Sequence, residues 1–143
     1  MGIVQHNVRV KASPLETTAL VGDASRWPEW YPTVTEVKIT APFPEKGGKV
    51  DIKTKQAGMS SSITETVLDY QPGKLALLQI EGRMSGHERW EFTPDGDGTR
   101  VSVTLDYTLP GVIGKFADAL IGKRMASKSL EDALHNLEAL LER

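Results

Sequence analysis

The chain has no cysteine among its 143 residues, which excludes disulfides, thiolate catalysis and cysteine-based metal sites. It has three histidines, His6, His87 and His135, too scattered to form an HxxxH or HExxH ligand pattern. No metal or other cofactor is therefore expected. Charge is nearly balanced at −2, which gives no electrostatic reason to expect a nucleic-acid partner. No apolar run approaches a membrane span, and MGIVQHNVRV alternates instead of forming a signal core. There is no GxSxG elbow, and the glycines of FPEKGG and PDGDG read as turns, not as a phosphate-binding loop. The remaining expectation is one domain over residues 1–143, cytoplasmic, and a monomer or weak homodimer.

Aromatic residues are scarce at 6 %, yet Trp27, Trp30 and Tyr31 crowd into the stretch DASRWPEWYPTV. Pro28 and Pro32 disfavour helical geometry at Trp27 and Tyr31, so this stretch reads as a stiff elbow. Ahead of it, Val4, His6, Val8 and Val10 alternate with polar residues as in a half-buried strand. Ser13-Pro14-Leu15-Glu16 is a strong helix start, with Ser13 as cap, Pro14 in the first turn and Glu16 completing a capping box. That helix ends at Gly22, and Asp23 is placed to cap a second short turn.

After the elbow the period is two. Strands are expected over 34–41, around Val50 and Ile52, and over 60–70, 75–80, 87–93 and 99–109. Gln71-Pro72-Gly73-Lys74 fits a type II turn, and PDGDG joins the last two strands as a hairpin. From Phe116 the period lengthens. Phe116, Leu120, Leu130, Leu134, Leu137 and Leu141 form one helical stripe, broken at Lys123 and Ser127. Gly114 and Gly122 weaken the first half of that helix.

This order, together with Ser13-Pro14, DASRWPEWYP, ETVLDYQPG, Trp90-Glu91-Phe92 and GDGTRVSVTLDYTLP, resembles the START/SRPBCC superfamily. That superfamily includes polyketide cyclase-like proteins, coenzyme Q-binding proteins and pollen-allergen-like carriers. The resemblance covers essentially the whole chain. It implies an α+β helix-grip fold, with a curved antiparallel sheet of about seven strands around a long C-terminal helix and two short helices after the first strand. It further implies a cavity between sheet and helix for a hydrophobic small molecule.

Strand parity then nominates lining residues. If Trp90 and Phe92 face inward, so do Glu88, Gly86 and Met84, and Val101, Val103, Leu105 and Tyr107 face inward beside them. Trp30 and Tyr31 would contribute from the elbow, Met59 from a hairpin rim, and Phe116, Leu120 and Met125 from the helix. The ligand-contacting candidates are Trp30, Tyr31, Met59, Met84, Glu88, Trp90, Leu105, Tyr107, Phe116 and Leu120. Each also has a plainer role as core or gap-filler. Glu88 needs a partner if buried. Either it pairs with Arg124 or Lys123, or it hydrogen-bonds a ligand hydroxyl or acts as a general acid/base. Three functions stay open: a carrier or sensor of a lipid, isoprenoid quinone or polyketide-like aromatic; a cyclase/aromatase drawing on Glu88, Tyr107 and Arg124; and a protein-interaction module with an apolar patch on the short helices.

Overall fold

The computed structural model describes residues 2–56, 58–108 and 115–142, with helix side chains described from residue 121 onward. Strand β1 (Gly2–Val10) is followed by helix α1 (Pro14–Val21), a 3-10 turn over Ala24–Arg26 and the single-turn helix α2 (Trp27–Trp30). Six strands then run as a meander: β2 (Val34–Ala41), β3 (Lys49–Gln56), β4 (Met59–Gln71), β5 (Leu75–Gly82), β6 (Ser85–Asp95) and β7 (Gly98–Thr108). Helix α3 (Lys115–Leu141) ends the chain. The order in the sheet is β1-β7-β6-β5-β4-β3-β2, with every pairing antiparallel. This is the helix-grip fold.

Consecutive strands β1 and β2 occupy opposite edges of the sheet. Residues 11–33 must therefore cross one whole end of it, and α1 and α2 are that crossing. Ser13 opens α1 as expected: its hydroxyl oxygen accepts from the Glu16 N–H at 3.1 Å and its O–H donates to the Glu16 carboxylate at 3.0 Å. The crossing is fastened to the β4–β5 turn, where the Gly73 N–H donates to Thr18 Oγ1 at 2.9 Å. Gly73 sits at φ +79°, and Lys74 N–H closes the turn on the Gln71 carbonyl, so a side chain at Gly73 would be strained.

Two local expectations are corrected. Trp27 is helical (φ −54°, ψ −38°) despite preceding Pro28. Pro28 stands in the first turn of α2, where its missing N–H costs nothing, and burial of Trp27 with its indole N–H on the Val21 carbonyl at 2.8 Å outweighs the steric bias. Tyr31, before Pro32, is extended as expected. Asp23 does not cap the 3-10 turn with its side chain; its carboxylate accepts from Ser25 Oγ instead.

Parity holds along the inner face. Val101, Val103, Leu105 and Tyr107 are buried on β7, opposite Phe92, Trp90, Glu88 and Gly86 on β6. Register shifts between Val34 and Glu36 and between Ile39 and Ala41 on β2, and between Val67 and Asp69 on β4, interrupt the ladders, as bulges that bend a strand do. On α3, Leu130, Leu134 and Leu137 are fully buried, whereas Lys123 and Arg124 point to solvent. The broken half of the stripe at Phe116 and Leu120, with Leu109 and Gly114 before it, falls outside the described side chains.

Leu137→Ala is expected to cost about 2–5 kcal/mol in urea unfolding, because it opens a hole in a closed part of the core. The exposed Leu15→Ala should stay within about 0.5 kcal/mol of wild type.

Candidate functional site

Between the sheet and the first half of α3 lies a cavity of about 210 Å³. Its walls are largely apolar: Val21, Trp27, Val34, Ile52, Ile63, Ile80, Met84, Leu105, Tyr107, Met125 and Ala126. Small residues on the helix leave this space: on α3, Gly122 and Ala126 present almost no side chain to it. On β6, Gly86 has a φ of +151°, and a Cβ there would run into the Asp106 carbonyl and the Tyr107 backbone, so the close approach of β7 requires glycine at this position. The cavity reaches the surface beside Met59, which is 53 % exposed, and Arg83, also exposed.

Eight of the ten residues nominated from sequence line this cavity: Trp30, Tyr31, Met59, Met84, Glu88, Trp90, Leu105 and Tyr107. Phe116 and Leu120 lie outside the described side chains. Val101, Val103 and Phe92 are buried on the same faces but pack as core away from the space. None of the three histidines lines it: His6 bonds Ser127 Oγ at 2.8 Å, His87 faces outward near Asp106, and His135 is exposed. Among the described residues no cluster of three or more His, Asp or Glu has the arrangement of a metal site.

The polar end of the cavity differs from expectation. Glu88, 6 % exposed, pairs with neither Arg124 nor Lys123. Those two side chains are solvated, so burying them would cost more than the pair returns. Glu88 instead accepts from the Trp90 indole N–H at 2.6 Å and the Tyr31 hydroxyl at 3.3 Å. Trp30 stands edge-on to Trp90, with ring centroids 5.8 Å apart. Trp30 also leans on Tyr31 at 5.6 Å.

Glu65, from β4, was not nominated. It too is 6 % exposed and lines the cavity, one strand away from Glu88 across β5. Its Oε1 is buried without a hydrogen-bond partner, as is Trp30 Nε1. The alternation Ile63, Glu65, Val67 would have placed Glu65 inward, but the polar run Ser60-Ser61-Ser62 obscures which face of β4 is buried.

Burial, and then the charge of Glu88, hold the Glu65 carboxyl well above the usual carboxylate range. Burial raises Glu88 as well, but its hydrogen bonds from Trp90 and Tyr31 work against that rise. Glu65, with no such donor on Oε1, has nothing to oppose its rise. The Tyr31 hydroxyl is pushed well up by burial and by both carboxylates, so it stays a donor. The arrangement can present a neutral acid, a held carboxylate and a free indole N–H to an enclosed guest.

A curved sheet gripping a helix around an apolar cavity with a few polar groups defines the START/SRPBCC class. Residues 1–142 match the family described as "Polyketide cyclase / dehydrase and lipid transport", and the chain belongs to that family. Among solved structures, TTHA0849 of Thermus thermophilus superposes with a TM-score of 0.89 at 19 % identity, over 99 % of this chain and 97 % of its own. A START superfamily protein of Mycobacterium smegmatis gives 0.83 at 21 % identity, over 98 % and 97 %. The ZhuI aromatase/cyclase of Streptomyces sp. R1128 gives 0.78 at 19 %, over 99 % and 94 %. At these identities the likeness is one of fold. Among curated proteins none matches the sequence.

The raised folded-state value of Glu65 sets the sign of a pH effect. The folded protein holds this proton after the unfolded chain has lost it. The contribution of Glu65 to stability is therefore greatest at pH values below the ordinary carboxyl value of 4.5 and declines as pH rises toward the folded value. Glu65→Met should flatten that decline and raise stability at neutral pH by about 1–3 kcal/mol, read from urea unfolding across the pH range.

Proposed function

We propose that this protein binds a hydrophobic small molecule in the cavity and carries or senses it without transforming it. The observation that supports this best is the apolar hollow left between α3 and the inner face by Gly122 and Ala126. Isoprenoid quinones, lipids and polyketide-like aromatics share the required chemistry: an extended apolar body with few polar atoms. The family description names lipid transport beside cyclase and dehydrase activity, which fits a carrier. The absence of cysteine suits a cytoplasmic carrier.

A cyclase/aromatase is the second reading, and Glu65 favours it. A neutral carboxyl facing an apolar cavity can protonate a substrate carbonyl or a departing hydroxyl, while the Glu88 carboxylate nearby takes up a proton. The relative from Streptomyces is itself an aromatase/cyclase. Arg124, a candidate for this role from sequence, is solvent-facing, and the arginine on the cavity is Arg83. The interaction-module reading has less behind it. Among the described residues Leu15 is the one large apolar side chain exposed on the short helices, too little for a contiguous patch.

Mass spectrometry of the native protein, compared with the denatured chain, should show a bound organic mass. Apolar ligands at about 100 times their Kd should stabilise the fold by about 2.7 kcal/mol in thermal unfolding. Ala126→Phe, which fills the hollow from α3, should weaken that binding at least about tenfold while leaving the fold intact. Stabilisation that is unchanged in Ala126→Phe would place the ligand elsewhere and sink the carrier reading. Conversion of a bound aromatic precursor, lost in Glu65→Met, would replace the carrier by the enzyme.

A further inference from the structure

Most polar groups lining the cavity already have a partner in the protein. Thr33 bonds Ser129, Thr54 bonds Ser61, and Gln56 donates to the Met125 carbonyl. Tyr31 and Trp90 both donate to Glu88. Two buried atoms do not: Glu65 Oε1 and Trp30 Nε1. Their residues are 6 % and 1 % exposed, and both line the cavity. A buried polar atom without a partner is costly, so these two define what an occupant has to supply.

The requirement is specific. Trp30 Nε1 only donates, so it needs an acceptor. Glu65 Oε1 accepts a hydrogen bond in either protonation state of the carboxyl when the proton sits on the other oxygen. We infer that Glu65 and Trp30 form a subsite for the hydroxyl of a neutral ligand, which accepts from the Trp30 indole N–H and donates to Glu65 Oε1, so that the occupant is an apolar alcohol or phenol. This rests on the cavity being the ligand site.

Other head groups fit less well. A carboxylate or phosphate would meet Glu65 and Glu88, while the one cation among the described lining residues, Arg83, stands at the exposed mouth. An ammonium group would suit the carboxyls, but it has no lone pair to give Trp30. A ketone satisfies Trp30 but leaves Glu65 served only when its own proton lies on Oε1. A hydroxyl serves both atoms whichever way the carboxyl titrates.

The test uses four probes of one shape and different head group: naphthalene, naphthol, naphthoate and naphthylmethylamine. Calorimetry with the wild-type protein should show naphthol binding about tenfold tighter than naphthalene, with naphthoate and naphthylmethylamine each weaker than naphthol by at least about tenfold. Glu65→Met and Trp30→Phe should each abolish the roughly tenfold preference of naphthol over naphthalene, read as the ratio of the two affinities within each variant. Glu65→Met removes an unpartnered buried polar group at similar volume, so it keeps the fold and carries the test if Trp30→Phe does not fold. Equal binding of naphthalene and naphthol would overturn the hydroxyl subsite and leave the cavity reading standing. The subsite is overturned in the same way if naphthoate or the amine binds tightest, or if the naphthol preference survives Glu65→Met. Failure of all four probes to bind would overturn the cavity reading together with the subsite.

Discussion

The seating of α3 governs everything else in this molecule. Leu130, Leu134 and Leu137 press its second half into the core, and were the first half seated the same way there would be no interior space. Over residues 125–129 the helix is held by directional polar contacts spread around the sheet and the elbow. His6 on β1 bonds Ser127, Gln56 at the end of β3 donates to the Met125 carbonyl, and Thr33 bonds Ser129. Nearer the packed half, Asn136 donates to the Trp30 carbonyl. Hydrogen bonds set distances, whereas apolar contacts simply close gaps. The small residues Gly122 and Ala126 facing inward then leave the hollow that this spacing permits.

The same spacing explains the electrostatics. A carboxyl is tolerated in an apolar interior when donors hold its charge or when its pKa rises toward the neutral form. Glu88 has donors in Tyr31 and Trp90 that oppose its rise; Glu65 lacks a donor on Oε1, and burial and the Glu88 charge raise it well above the ordinary range. Because the elbow supplies Tyr31 and Trp30, the crossing between the two sheet edges is also the wall that sets the protonation of the site. The concentration of tryptophan there serves the core and the cavity together. Trp27 is anchored on the Val21 carbonyl, while Trp30 packs on Trp90 and keeps its N–H free.

Much of the fold is legible in the sequence. The period-two runs locate the seven strands, the Ser13-Pro14 start locates α1, and the parity of β6 and β7 puts Glu88, Trp90, Leu105 and Tyr107 on one inward face. The expectations that fail share one cause. Trp27 is helical in spite of Pro28 because its indole is buried and bonded far outside its own turn. The partners of Glu88 come from 57 residues upstream and from its own strand, not from the helix that charge matching suggests. Glu65 escapes notice because its strand is rich in Ser and Thr, which sit on either face of a sheet at similar cost.

The sequence by itself determined the elements, their order and the inward parity of the last strands, since periodicity and capping act over a few residues. Only the tertiary structure decided that two carboxyls share one cavity, which of them is satisfied, and that the indole N–H of a third lining residue is left without a partner. Those facts depend on distances between β4, β6 and the elbow, and no local pattern along the chain encodes them.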